Sequence, residues 1–142
     1  MLLQKKIGQS IVRYREFNNK QLSDAINLPW CIMGDFNEML CSSDKVGDVP
    51  LTISRTRRLN DFLAHTRSIN ANVQGGVFTW KKLLRGQVVY EKLDRVLFKE
   101  DCAQLFSHYL VINGYFTCSN HAFVLLNTEP AHPPQRGTNF KY

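Results

Sequence analysis

Three short stretches set polar side chains against apolar ones in a pattern that could do chemistry. Asp35 and Asn37 close "PWCIMGDFNE", Asp94 sits inside "KLDRVLF", and Asn120 with His121 directly precedes "AFVLLN". A carboxylate beside a histidine fixes the imidazole tautomer and stabilises its cationic form. An aspartate near a second oxygen donor can help to hold a hard divalent cation. Cations of either kind neutralise a phosphate while one acid or base activates water for in-line attack, so these residue types fit phosphodiester hydrolysis. Each stretch alone also has an ordinary reading, because Asp, Asn and Gly all favour turns. Glu38 is read in that way, as a turn or helix-start residue.

The elements that must position these residues follow from hydrophobic patterning. Trp30-Cys31-Ile32-Met33 opens after Pro29 without a polar residue, which suits a strand covered on both faces, with Gly34 marking its exit from the sheet. Polar groups released there stand where a rigid scaffold opens to solvent. The segment 1–28 spaces Ile11, Val12, Phe17, Leu22 and Ile26 irregularly, and one loosely held helix is expected in it. Cys41 to Leu51 gathers Ser, Asp, Gly and Pro and reads as a loop. A helix then runs to Thr66 with Thr52 or Ser54 as N-cap, turning Leu59, Phe62 and Leu63 inward and Arg57, Asp61 and His65 outward. Gly75 to Lys82 gives a turn and a strand, and Arg85-Gly86 folds it back into a hairpin. The return strand, Val88 to Phe98, sets Leu93, Arg95 and Leu97 on one face and Asp94, Val96 and Phe98 on the other. Asp94 therefore stands among apolar neighbours and needs a partner such as a histidine or a hydrogen-bond donor. A short helix at Asp101 to Phe106, a strand at Leu110 to Ile112 and a buried strand at Ala122 to Leu126 complete the pattern. Residues 129–142 are Pro- and Gly-rich without periodicity, and a disordered tail is expected.

At 142 residues, 44% of them hydrophobic, the chain is long and apolar enough for one globular domain and too apolar for a disordered one. No apolar stretch approaches the roughly 20 residues of a membrane span. The opening "MLLQKKIGQS" has the wrong charge order for a signal peptide, so an intracellular protein with no membrane partner is expected. Its four cysteines stand apart without a C-x-x-C pair, as free thiols do in a reducing compartment. Eighteen Lys and Arg against twelve Asp and Glu give a formal charge of +6, which favours a polyanionic partner. The basic residues fall in small groups, Lys5-Lys6, Arg13 with Arg15, Arg55 with Arg57-Arg58, and Lys81-Lys82 with Arg85. Oligomeric state is not legible.

With "GDFNE" at Gly34 to Glu38, "FTW" at Phe78 to Trp80, "LDRVL" at Leu93 to Leu97 and "SNH" at Ser119 to His121, the chain resembles the endonuclease/exonuclease/phosphatase (DNase I-like) superfamily. The text "PWCIMGDFNEML", "FTW" and "LDRVLF" is similar to the branch encoded by plant non-LTR retrotransposons. The resemblance covers about Pro29 to Asn127. It implies an α/β (α+β) fold, a β-sandwich flanked by helices, and Mg²⁺-dependent hydrolysis of DNA, with the nucleus as the place of action. Carried over by position, Asp35 helps to activate the attacking water, Asn37 positions the scissile phosphate, Asp94 orients the catalytic histidine, and His121 is that histidine. Asp35 and Asn120 fall at the metal position, and Lys81, Lys82 and Arg85 are candidates for binding the nucleic acid.

Two departures from the family pattern bear on activity. The family domain carries a first half that supplies a metal-binding glutamate, a further asparagine and a tyrosine, and residues 1–28 resemble none of these. Asn120 also replaces the aspartate of the family Ser-Asp-His, and Asn70 stands where related sequences carry an aspartate ahead of "FTW". Asn keeps an acceptor oxygen but loses the charge, which weakens a hard-cation site. The resulting expectation is a helical remnant at 1–28, a partial domain at 29–128 truncated to about the C-terminal half of the fold, and the tail. Such a domain is weak or inactive alone. The alternatives are a non-catalytic nucleic-acid-binding remnant and a fragment without function.

Overall fold

A computed structural model describes residues 29–47 and 49–130 of the chain. The helix expected in 1–28 and most of the tail lie outside the described residues. Those described form a mixed α+β arrangement of three small sheets and two helices. In chain order these are β1 (Cys31–Asp35), a single 3-10 turn (Ser42–Asp44), β2 (Lys45–Val46), α1 (Ser54–Thr66), β3 (Ser68–Asn70), β4 (Val73–Gly75), β5 (Trp80–Leu84), β6 (Gln87–Glu91), β7 (Asp94–Lys99), α2 (Glu100–Leu105), β8 (Leu110–Asn113) and β9 (Val124–Asn127).

β7 is the centre of the first sheet, with β1 and β3 antiparallel on its two sides. Its residues Arg95 to Phe98 are all buried, as a strand covered on both faces must be. Alternation divides them as the sequence predicts. Leu97 joins Trp30, Ile32 and Phe36 beneath Leu59 and Phe62 of α1. Val96 and Phe98 face the opposite way, into a core of Ala71, Cys102 of α2 and Val111 of β8, with Val73, Val124 and Leu126 packed against it. The first sheet is thus the shared wall of two apolar cores. His65, Arg57 and Asp61 are exposed on α1, as its periodicity requires.

Several boundaries differ from expectation, each for a local reason. β1 does not end at Gly34, which pairs with Arg95; the ladder continues to Asp35 opposite Asp94. No side-chain oxygen caps α1: Ile53 holds the N-cap position in helical conformation, and the hydroxyls of Thr52 and Ser54 lie 3.0 Å from each other instead. The loop from Cys41 contains the 3-10 turn and β2, which adds Lys45 and Val46 to the edge of β6. The single strand expected from Val88 to Phe98 is two strands in different sheets, because Lys92 and Leu93 turn a corner between them. At that corner the Lys92 N–H is taken by the Asp44 carbonyl at 2.8 Å, and the Leu93 N–H by the Thr79 hydroxyl at 3.0 Å. The hairpin itself is as predicted: Arg85 and Gly86 both adopt positive φ, 49° and 79°, the pattern of a two-residue turn whose twist matches its strands. The last strand begins at Val124, two residues later than expected, since the Ala122 N–H is engaged by the Thr79 carbonyl.

Candidate functional site

Asp35 and Asp94 form the last rung of the β1–β7 ladder. Residues directly opposite each other in an antiparallel pair share a face, with Cβ atoms about 5 Å apart. Two carboxylates so placed repel each other unless a cation or donor intervenes. His121 supplies one: its Nδ1 lies 3.0 Å from Asp94 Oδ2. An ionised carboxylate only accepts, so Nδ1 carries the proton and Nε2 is the nitrogen that neutral His121 offers outward. Asp94 is the more buried partner, its side chain 17% exposed against 39% for His121.

The chain reverses sharply after Asp35. Asp35 Oδ1 accepts the Asn37 N–H at 2.7 Å, and Asn37 takes the left-handed region at φ 52°, where asparagine is better tolerated than most residues. Phe36 between them is buried in the core beneath α1, and its N–H reaches the Leu93 carbonyl at 3.0 Å. The turn therefore anchors an apolar side chain while leaving Asp35 and Asn37 exposed. Glu38 lies 3.6 Å from Arg58 of α1.

The loop bearing His121 is tied down at several points. Its N–H donates to Ser119 Oγ at 3.1 Å, the Asn120 carbonyl accepts the Lys81 N–H at 2.9 Å, and the Thr79 carbonyl accepts the Ala122 N–H at 2.8 Å. A single bridge pairs His121 with Trp80 at the start of β5. The start of the hairpin is thus bonded to the loop that carries the histidine. Lys81 Nζ lies 4.8 Å from the centre of the Phe116 ring, which meets Tyr90 at a tilt, as Tyr90 in turn meets Phe78. Lys82 points to the other face of the hairpin, by the period of two, and Arg85 stands at its tip, roughly 13 Å along β5 from Lys81. The three basic candidates therefore do not form one cluster. The arginines of α1 are each paired with an acid: Arg55 with Glu91, Arg57 with Asp61, and Arg58 with Glu38.

For a divalent metal the donor set is short. Mg²⁺ takes near-octahedral oxygen with one or two carboxylates. Asp35 engages Oδ1 with the Asn37 amide and Asp94 engages Oδ2 with His121, each keeping its second oxygen, while Asn120 is neutral. Among the described residues no three His, Cys, Asp or Glu side chains gather as a metal-binding group. Asp35 and Asp94 are the carboxylates that the described residues bring together here.

Beneath the site lies a charged network not anticipated from sequence. Asp44 accepts from the Arg95 guanidinium and from the Leu40 and Cys41 amides. Arg95 is 2% exposed; burial draws its guanidinium below its ordinary value, with Asp44 opposing. Nearby Glu91 is gripped by both guanidinium nitrogens of Arg55, at 3.1 and 3.3 Å, and by Lys45 at 3.3 Å. Thr79, fully buried, was also missed; the only hint was its place between two aromatic residues in "FTW". No family model matches this chain, and no curated protein or solved structure matches it either.

Proposed function

We propose that residues 29–127 are the histidine-bearing half of a DNase I-like phosphodiesterase domain, a sandwich whose complete form hydrolyses DNA with Mg²⁺. The observation that carries this reading is the meeting of the three polar stations: Asp35 opposite Asp94, and Asp94 bonded to His121. In that chemistry Asp94 holds the proton at Nδ1 of His121, so a protonated ring directs its Nε2–H at a non-bridging phosphate oxygen and stabilises charge as it develops. Asp35 draws a proton from the attacking water, and the Asn37 amide orients the phosphate. The metal's main carboxylate comes, by the resemblance, from the other half of the domain. The resemblance also points to the nucleus as the place of action.

A plasmid-nicking assay tests the proposal. The 142-residue chain should nick at background with or without Mg²⁺, and so should Asn120→Asp. Fusing a related N-terminal half to residues 29–128 together with Asn120→Asp should restore Mg²⁺-dependent nicking, lost again in His121→Ala or Asp35→Ala. A fused chain that folds and never nicks would overturn the proposal. Robust nicking by the unmodified chain, lost on Asp35→Ala, would overturn its incompleteness.

A second reading, a nucleic-acid-binding remnant that does not cut, draws support from Lys81 lying over Phe116 beside Tyr90, since a cation and aromatic faces suit phosphate and base. It requires DNA binding without Mg²⁺ that weakens steeply with salt and with Lys81→Ala. No binding at low salt would leave a fragment without function.

A further inference from the structure

We infer that Thr79 is a positioning residue for the Asp94–His121 pair, holding both partners through one buried side chain and one peptide unit. The inference rests on reading His121 as the working histidine. Thr79 is fully buried, and its Oγ1 accepts two amides at once, Leu93 N–H at 3.0 Å and Asp94 N–H at 2.8 Å. The first amide lies in the corner between β6 and β7, and the second belongs to Asp94, the first residue of β7. The hydroxyl oxygen is thus what ends the corner and fixes the backbone from which the Asp94 carboxylate projects. On the other side, the Thr79 carbonyl accepts the Ala122 N–H at 2.8 Å, the residue after His121, while the bridge between Trp80 and His121 is formed by the residue after Thr79. The Thr79 N–H completes the tie, donating to the Glu91 carbonyl at 3.0 Å.

Asp94 and His121 are 27 positions apart and lie on segments that share no ladder with each other. Their 3.0 Å contact needs two backbones placed independently to within a few tenths of an ångström, and Thr79 is bonded to both. A β-branched residue suits the task because its χ1 is stiff, so the oxygen stays aimed at the corner. Valine would fill the same space and take that acceptor from the buried Leu93 amide and the half-buried Asp94 amide. Serine would keep the acceptor.

The test reads the histidine directly. In the ¹⁵N-labelled 142-residue chain at about pH 8, where an imidazole is largely neutral, long-range ¹H–¹⁵N spectra should show His121 protonated at Nδ1. Thr79→Ser should keep that signature. Thr79→Val should lose it, moving His121 to the Nε2–H form that exposed histidines prefer. His65 and His108, exposed and remote from Thr79 in the ladders, should be unchanged in both. A folded Thr79→Val chain with His121 still protonated at Nδ1 would overturn the inference. So would loss of the signature in Thr79→Ser, which retains the oxygen; should the valine variant not fold, the serine variant decides alone. None of these spectra depends on cleavage, so a failed nicking assay would bear on the reaction and leave Thr79 standing, and the converse holds too.

Discussion

Asp94 shows how much a single residue can reveal when its surroundings contradict its type. A carboxylate on the same strand face as Val96 and Phe98 is costly without a partner, and that mismatch calls for a histidine or another hydrogen-bond donor. The contact is made at 3.0 Å, but His121 remains 39% exposed, so water can replace part of what Asp94 supplies. Asp94→Ala should therefore lower stability by about 1 kcal/mol, near the bottom of the range for a lost buried partner, read as a shift in the urea midpoint. An unchanged midpoint would mean that the pair does not persist in solution. Asp44 and Arg95 were not legible in the same way. They are 51 positions apart, and an arginine alternating with leucines says only that something must compensate it, not which acid does. Thr79 was hidden for a similar reason, since a threonine hydroxyl is equally at home on a strand surface and its two acceptor bonds lie in a corner that hydrophobic period does not mark.

At the scale of elements, what could be read from sequence had length and period. α1 shows three buried or half-buried residues on one face, and the β5–β6 hairpin carries its turn residues, so both were legible. β3 and β4 span three residues each, too few for alternation to register, and exist because β7 and β8 offer them free edges. Glycine was misread at one point: Gly34 looked like the residue that lets the chain leave the sheet, yet it pairs in the ladder, with nothing within 4 Å of a Cβ placed there. The turn is instead made at Asn37. Gly75 is the contrasting case, at φ 92° with a Cβ position that would collide with the Asn113 carbonyl oxygen on the paired strand β8. Gly34→Ala should leave stability unchanged or raise it by about 0.5 kcal/mol, whereas Gly75→Ala should cost more than about 1 kcal/mol. Equal effects from the two substitutions in denaturant melts would show that β4 does not hold to β8 as described.

Over the whole molecule, two cores back onto one sheet, and titratable groups caught between layers tie its stability to pH. Cys31 lies on β1 against the core that contains Cys102, and burial, with Cys102 adding to it, pushes the Cys31 thiol from 9.0 up to about 12. The unfolded chain therefore releases this proton as pH rises past about 9 while the folded chain keeps it. A raised acid pKa contributes stability that is complete below 9.0 and is lost progressively as pH climbs towards about 12. Lys92 works in the opposite sense: burial, and then Arg95, lower its ammonium, so folding disfavours its proton and stability gains with pH below the ordinary lysine value. Because the two slopes oppose each other, the raw alkaline curve is ambiguous, and the informative quantity is the difference between the wild-type chain and Cys31→Val. The stability of the wild type relative to that variant should fall between about pH 9 and 12, the valine variant losing less over the same interval. Thiol labelling of the folded chain offers a check at milder pH, since the thiolate is the reactive form: exposed Cys41 and Cys118 should react well before Cys31 and Cys102. Parallel alkaline curves for wild type and Cys31→Val, with Cys31 labelled as fast as Cys118, would place the Cys31 thiol in water and remove it from the wall between β1 and α2.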